Sequence, residues 1–156
     1  MNEFIESDPV ASIVRDALAY IDNQATSETH IGLTGGRSGS QIASKLIAAC
    51  SDNPRVHFWF SDERFLPLTD ERRNDFGIDS AHVRCHIHSI PASDAVSSAQ
   101  DAAREYSAQL HQALTTRFCA DNTLMDICIL SIGEDGHVAS LFPHHAALDE
   151  SLGIVG

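Results

Sequence analysis

The sequence predicts an α/β fold in which a Rossmann-like parallel sheet is flanked by helices. Short apolar runs alternate along the chain with segments whose apolar residues recur at helical spacing. The runs are apolar at consecutive positions, as in Val56–Phe60, which is typical of parallel strands buried on both faces. With 156 residues and 43% hydrophobic content, the chain can build one core. We therefore expect a single α/β domain over residues 1–156.

The first half of the chain predicts a helix, a strand and a second helix. Asp8 is expected to cap a helix that starts at Pro9, because aspartate favours the N-cap and proline the first turn. A strand at His30–Leu33 breaks into glycine, and helical spacing resumes from Ser38 to Cys50. The apolar positions behind the two helices are Val10, Ile13, Val14, Ala17, Leu18 and Ile21, then Ile42, Leu46 and Ile47.

The second half predicts further strands joined by helical crossovers. Strand Val56–Phe60 ends abruptly in charge, and the segment "LMDICILSIG" predicts another buried strand. Between them, an alanine-rich stretch from Ser93 to about Phe118 predicts a long helix capped by Ser93 or Asp94. We also expect a short helix over 75–83 and an extended piece, "HIHSIPAS", that stops at Pro91.

The chain is strongly acidic, which limits its partners. It carries 10 Lys and Arg against 22 Asp and Glu, a net charge of −12. This charge repels phosphate backbones and anionic lipid surfaces, so neither nucleic acid nor a membrane is an expected partner. If the substrate is an anion, its site has to concentrate the few cations locally.

Cysteine usage and the N-terminal residues favour a cytoplasmic protein. The cysteines are scattered without a C-x-x-C pair, so we expect reduced, mostly buried thiols. The first residues do not form a secretory leader, and no segment approaches the roughly 18 apolar residues of a membrane span. The four cysteines are Cys50, Cys85, Cys119 and Cys128.

Three polar segments follow predicted strands, namely "TGGRSG", "SDERF" and "GEDGH". In parallel α/β sheets, ligands bind outside the carboxyl ends of the strands. The first segment leaves two interpretations open. Gly35 and Gly36 would let backbone N–H groups approach an anion, with Ser38 and the helix N-terminus adding a hydroxyl and a dipole. Alternatively, the glycines serve a tight turn from strand to helix. The segment does not match a Walker motif or a dinucleotide-binding motif, so it does not predict a nucleotide site.

The segment "SDERF" also has two interpretations. A charge triplet is commonly a solvated loop. At the carboxyl end of a buried strand, however, Arg64 could grip a phosphate through two parallel hydrogen bonds, with Asp62 or Glu63 orienting it.

The segment "GEDGH" is either a surface turn or a catalytic one. A neutral imidazole is a good general base near pH 7, so His137 is the candidate base. Asp135 would fix its tautomer, and Gly136 would let the loop bend tightly.

The other histidines do not predict a metal site. His86 and His88 would point to one face of a strand, but no cysteine or carboxylate joins them in a recognisable ligand pattern. We expect them to be surface histidines that bind no metal, like His82, His144 and His145.

The segments "LTGGRSG", "FWFSDERFLPLTDERRND" and "DICILSIGEDGHVASLFP" form a specific combination. It resembles the 6-phosphogluconolactonases, from about the first strand to Pro143. Many relatives have S-T-P where this chain has Arg37-Ser38-Gly39. The glucosamine-6-phosphate deaminases are similar in the glycine loop and D-G-H. They usually continue with F-N-E-P in place of Ser140–Pro143 and do not usually show the D-E-R of Asp62–Arg64.

The resemblance implies hydrolysis of 6-phosphoglucono-δ-lactone to 6-phosphogluconate, in the oxidative pentose phosphate pathway, with no metal and no organic cofactor. His137 would be the general base and Asp135 its orienting carboxylate, while backbone N–H groups of a glycine turn stabilise the oxyanion. The substrate-binding residues that it implies are Gly35, Gly36, Arg37, Ser38, Asp62, Arg64 and Gly136.

Family members continue past the G-x-D-G-H segment, through further strands and a lysine-proline segment thought to help bind the phosphate, whereas this sequence stops at Gly156. We therefore expect a sheet that is incomplete at its C-terminal side, with an exposed edge that a second copy of the chain could cover. An inactive remnant that binds sugar phosphates or a partner chain is the alternative to an enzyme, and a deaminase is the third hypothesis.

Overall fold

The computed structural model describes residues 7–24, 27–121, 125–145 and 148, with side chains in the last helix described as far as Leu114. The described elements are α1 (Pro9–Asn23), β1 (Thr29–Leu33), α2 (Gly36–Ala49), β2 (Val56–Phe60), β3 (His86–His88), α3 (Ala99–Asp121) and β4 (Ile127–Cys128).

The strands form one parallel sheet in the order β3-β2-β1-β4. The central strands β1 and β2 pair along their whole length, from Thr29 opposite Val56 to Leu33 opposite Phe60. Helix α2 connects β1 to β2 and helix α3 lies between β3 and β4, whereas turns and one 3-10 turn connect β2 to β3. Each connection is long enough for the crossover that parallel pairing requires. The predicted α/β class is confirmed. In the described part of the chain, no helix is both long and apolar enough to cross a membrane.

One face of the sheet packs against α1 and α2. Ile31 and Leu33 of β1 and Phe58 of β2 are at most 1% exposed. Every second residue of a strand faces this core, because successive side chains of a strand point to opposite faces of the sheet. Burial of each large apolar side chain contributes roughly 1.5–3 kcal/mol. The helix residues that complete this core are Ala17, Ile21, Ile42, Ala43, Leu46 and Ile47.

The opposite face carries stacked imidazole rings. His30, His57 and His86 lie in register on three neighbouring strands, with ring centroids 4.4 and 4.3 Å apart. In the next row, His88 stacks on the buried Trp59 at 3.6 Å between centroids. His88 is half-buried, so the expectation that it is a surface histidine is wrong. His82, His86, His144 and His145 are exposed as expected.

Helix α3 covers the Trp59 side of this face. The Tyr106 hydroxyl donates a hydrogen bond of 2.8 Å to the carbonyl oxygen of Phe60, the last residue of β2. Its ring meets Trp59 edge-on, and Leu110 and Leu114 complete the cluster. Burial raises the pKa of the Tyr106 phenol, which therefore stays protonated as a donor.

The start of α3 differs from the prediction. The helix begins at Ala99 rather than Ser93, because the Ser98 hydroxyl accepts the Asp101 backbone N–H at 3.1 Å and provides the cap. The carboxylate of Asp94 instead accepts a backbone N–H from the loop that follows β2. A sequence contains several residues that can cap, and tertiary contacts decide which one does.

The other helix predictions fared unevenly. Asp8 caps α1 as predicted, accepting the Ala11 N–H at 3.0 Å. Helix α2 begins at Gly36, two residues earlier than predicted. The prediction of a short helix over 75–83 is wrong, because the segment forms turns and one 3-10 turn at Ser80–His82. Gly77 has a φ of +76°, which a right-handed helix does not accommodate.

Strand β4 pairs with β1 at the edge of the described sheet. Beyond it, the side chains of Leu130 and Ile132 are 55% and 77% exposed, so this segment is not buried on both faces as predicted. Its Cys128 is exposed, whereas Cys50 and Cys85 are buried, and all three are free thiols. Exposed apolar groups beside an edge strand fit the expectation of an incomplete sheet.

The half-buried imidazole of His88 predicts a loss of stability in acid. Burial, reinforced by the neighbouring histidines, lowers the pKa of His88 from 6.5 to about 4. The unfolded chain therefore binds a proton between those values that the folded chain does not. We expect the free energy of unfolding to fall from pH 6.5 to 4, by at most about 1.4 kcal/mol per pH unit for one proton.

Denaturant unfolding across this pH range measures the effect. His88→Phe keeps a ring against Trp59 but cannot bind the proton, so its stability should depend less on pH. The control is His144→Asn, at an exposed position whose φ of +64° asparagine tolerates. Equal pH dependence in all three proteins would contradict this explanation.

Candidate active site

The glycine loop joins β1 to α2 and is shaped by close backbone contacts. Gly36 adopts a φ of +77°, which lets the chain turn directly into the helix. A β-carbon at Gly39 would lie 2.3 Å from the carbonyl oxygen of Thr34, so the first turn of α2 packs directly on the loop. Arg37 and Ser38 are exposed in that first turn, beside the helix N-terminus. The tight-turn interpretation is confirmed, and the same geometry leaves the N-terminal N–H groups of the helix available to an anion.

Asn74 lies against this loop. A β-carbon at Gly35 would be 2.2 Å from the Asn74 side-chain oxygen, so only glycine leaves room for the amide. Asn74 is 6% exposed and lies ten residues after Arg64 in the loop that follows β2. Asn74 therefore connects the "SDERF" loop to the glycine loop.

Within the "SDERF" loop, the side-chain partner of Arg64 is Asn74, whose Oδ1 accepts a hydrogen bond from the guanidinium. Asp62 accepts from the Ser61 hydroxyl through its carboxylate and from the Asn74 amide through its backbone carbonyl. Glu63 binds backbone N–H groups instead, including that of Asn74 at 2.7 Å. The expectation that Asp62 or Glu63 orients the Arg64 side chain is therefore corrected.

A buried ion cluster holds this loop in place. The guanidinium of Arg73 is fully buried and binds both carboxylate oxygens of Asp75, at 2.8 and 2.9 Å. It also donates to two backbone carbonyls of the loop and to that of Ile90 after β3, while the buried carboxylate of Glu63 lies 3.8 Å away. Burial raises the pKa of Glu63. Burial also acts to raise the pKa of Asp75, but the hydrogen bonds and charge of Arg73, together with hydrogen bonds to Ser89 and Glu63, outweigh it and lower that pKa. Removing one member would leave an uncompensated buried charge, so the cluster fixes the loop conformation.

The "GEDGH" segment forms a closed turn. The backbone N–H of Gly133 donates to the carbonyl of His137 at 2.8 Å, and that of Gly136 donates to the carbonyl of Gly133 at 2.9 Å. Gly136 has a φ of +88°, which explains its place in the turn. Because both N–H groups bond within the turn, an oxyanion role for Gly136 would require its bond to open.

The turn aims and supports the imidazole of His137. Its Nδ1 is hydrogen-bonded to the Asp135 carboxylate, and its ring lies 4.8 Å from that of Phe142, centroid to centroid. Gly133 leaves space for the ring, since a β-carbon there would be 2.1 Å from His137 Cε1. The hydrogen bond with His137 lowers the pKa of Asp135, so the carboxylate is charged at neutral pH. A proton on Nδ1 leaves the lone pair on Nε2, the arrangement that a general base needs.

Hydrogen bonds tie the three strand ends together. The backbone N–H of Ser61 donates to the carbonyl of Leu33 at 2.9 Å, joining the ends of β1 and β2. The hydroxyls of Thr34 and Ser131 are 2.9 Å apart, joining the glycine loop to the segment before the histidine turn. The three polar segments thus occupy neighbouring positions at one edge of the sheet, as the sequence predicts.

Glu28, His30 and His57, at the other end of the strands, have ligand atoms within 4.8 Å of one another. They do not suit a metal ion. The Trp59 indole, which can only donate, bonds to His30 Nδ1 at 3.1 Å, so neutral His30 carries its proton on Nε2. Coordination through Nε2 would move that proton to Nδ1, where it would face the indole N–H.

Comparison with protein families identifies a family for this chain. Residues 6–155 match the model of the glucosamine-6-phosphate isomerases/6-phosphogluconolactonase family. The chain belongs to this family. The resemblance stated from its motifs is thereby confirmed.

Individual family members give the extent of the match. The 6-phosphogluconolactonase of Streptomyces coelicolor is 32% identical over 154 residues, covering 90% of this chain and 59% of the relative. The human 6-phosphogluconolactonase is 31% identical over 157 residues, covering 94% and 58%. The crystal structure of 6-phosphogluconolactonase from Thermotoga maritima superposes with a TM-score of 0.65 at 25% identity, covering 89% and 62%. The chain thus spans less than two thirds of the length of these relatives.

Sequence reasoning did not identify Asn74, Thr34 or Ser131 as site residues. Thr34 is the first residue of the segment "TGGRSG", and Ser131 lies just before "GEDGH". A polar residue at the end of a buried strand is a signal that could have identified both. Asn74 stands in the quoted "RRND", but its contact with Gly35 depends on how two separate loops meet.

The close fit of His137 over Gly133 can be tested by Gly133→Ala. The new methyl group would overlap the imidazole, and the backbone at this position does not need a positive φ, so the main effect should be displacement of the ring. We expect the Asp135 hydrogen bond to be lost, which nitrogen NMR of the His137 ring would report as a change in tautomer. Glu134→Ala, at an exposed position in the same turn, is the control. An unchanged ring spectrum in Gly133→Ala would contradict this geometry.

Proposed function

We propose that the chain forms a single sugar-phosphate-binding domain that hydrolyses 6-phosphoglucono-δ-lactone to 6-phosphogluconate. The observation that carries this proposal is the His137–Asp135 pair, held on a closed turn at the sheet edge that also bears the glycine loop and Arg64. Membership of the family and the names of the relatives support the lactone as substrate.

In the proposed reaction, Nε2 of His137 takes a proton from water as the water oxygen attacks the lactone carbonyl carbon. The carbonyl electrons move to its oxygen and then return, and the bond from the carbonyl carbon to the ring oxygen breaks. The ring oxygen takes the proton back from Nε2 and becomes a hydroxyl group. Asp135 keeps the ring in the required tautomer and stabilises the imidazolium while it carries the proton.

The phosphate would be held at the other loops. Arg64, the N–H groups near Gly35 and Gly36, and the first-turn residues Arg37 and Ser38 provide positive charge and donors. This local group of donors would offset the repulsion between an anionic substrate and a chain of net charge −12. Binding the phosphate at a distance from the reacting carbonyl orients a small polar substrate.

Lactone hydrolysis, measured against the spontaneous rate, tests the proposal. His137→Ala should lower kcat by about 10²–10⁴-fold, the usual contribution of a general base. Arg64→Ala should chiefly raise KM, because it removes binding remote from the reacting bond. His82→Gln, at an exposed position, is the control and should leave both constants unchanged.

The outcomes separate the hypotheses. A folded protein that hydrolyses the lactone only at the spontaneous rate contradicts the proposal. Saturable binding of 6-phosphogluconate without turnover would then indicate a binding remnant, and release of ammonia from glucosamine 6-phosphate would indicate a deaminase.

A further inference from the structure

The side chain of Asn74 connects three parts of the candidate site. Its Oδ1 accepts a hydrogen bond from the Arg64 guanidinium, and its Nδ2 donates to the backbone carbonyl of Asp62 at 2.9 Å. Its amide also fills the space that a side chain at Gly35 would need. We propose that Asn74 is the positioning residue that aims the Arg64 guanidinium beside the glycine loop for a phosphate ligand. This inference rests on the proposed function.

The two hydrogen bonds fix the orientation of the amide. Arg64 can only donate and the Asp62 carbonyl can only accept, so a flipped amide would place donor against donor and acceptor against acceptor. An asparagine in this orientation satisfies both partners. An aspartate of the same shape would face the Asp62 carbonyl with an oxygen and would neutralise the guanidinium that the phosphate needs.

The backbone of Asn74 is as firmly held as its side chain. Its N–H donates to Glu63 Oε1 at 2.7 Å, and the residues on either side, Arg73 and Asp75, form the buried ion cluster. The cluster therefore fixes where the amide stands, and the amide fixes one nitrogen of the Arg64 guanidinium. Arg64 itself is exposed, so this bond limits an otherwise flexible side chain.

This arrangement explains the absence of a side chain at Gly35. The glycine does not adopt a positive φ, so backbone conformation does not require it. The overlap with Asn74 does, since the nearest side-chain atoms are 2.2 to 2.6 Å from the position of a β-carbon. The contact brings the Arg64 anchor directly against the loop that carries the N-terminus of α2.

The test is a double-mutant cycle on Asn74 and Arg64, with binding of 6-phosphogluconate and hydrolysis of two lactones as readouts. Asn74→Ala should weaken 6-phosphogluconate binding and raise KM for the phosphorylated lactone by about tenfold to a hundredfold, with kcat little changed. Asn74→Asp should give a similar loss. Hydrolysis of unphosphorylated glucono-δ-lactone should be unaffected by either change, because no phosphate is present for Arg64 to bind.

The cycle distinguishes positioning from a general structural role. The double variant Arg64→Ala/Asn74→Ala should bind no more weakly than Arg64→Ala alone, because Asn74 acts through Arg64. Asn53→Ala, which removes an amide near the opposite end of β2, is the control and should leave binding and KM unchanged. Thermal unfolding of every variant confirms that the proteins compared are folded.

The possible results distinguish the positioning role of Asn74 from the lactonase proposal. Additive losses in the double variant, or an equal loss with the unphosphorylated lactone, overturn the positioning role while leaving the lactonase proposal intact. A wild type that binds 6-phosphogluconate without turnover overturns the lactonase proposal, and the binding cycle still decides the role of Asn74. A wild type that neither binds nor hydrolyses overturns both.

Discussion

The parallel pairing of β1 with β2 determines where the polar loops of the candidate site lie. Five residues of each strand are in parallel register, and the bond from the Ser61 N–H to the Leu33 carbonyl extends the pairing past the strand ends. Parallel pairing brings both carboxyl ends to one edge, and β4 adds a third through the contact between Thr34 and Ser131. The polar segments meet there because each of them follows a parallel strand of the sheet.

Two arginines of the loop after β2 have different environments at this edge of the sheet. The chain is acidic overall. Arg73 is buried with Asp75 and Glu63, whereas Arg64 is exposed. The buried arginine donates to backbone carbonyls of the loop and to that of Ile90 after β3, whereas the exposed arginine is accessible to a ligand. Asn74 connects the two arginines, because its backbone N–H donates to Glu63 of the buried cluster and its side chain accepts a hydrogen bond from Arg64.

The sequence predicts the fold class and the histidine turn, because these depend on neighbours along the chain. Apolar runs and helical spacing are local patterns, and Asp135 is two residues from His137. Contacts between distant segments were not predictable in the same way. The amide of Asn74 meets Gly35 across two loops, and Ser98 caps α3 because Asp94 is engaged elsewhere. These outcomes follow from tertiary packing, which composition and periodicity do not encode.

We propose that the three loops form one site for a phosphorylated sugar lactone. Titration of nitrogen-labelled protein with 6-phosphogluconate, followed by amide chemical shifts, tests it most directly. We predict that amides of residues 34–39, 61–64 and 133–138 all shift and saturate with a single dissociation constant. Shifts confined to one of these segments, or different dissociation constants for the glycine loop and the histidine turn, would contradict a single site.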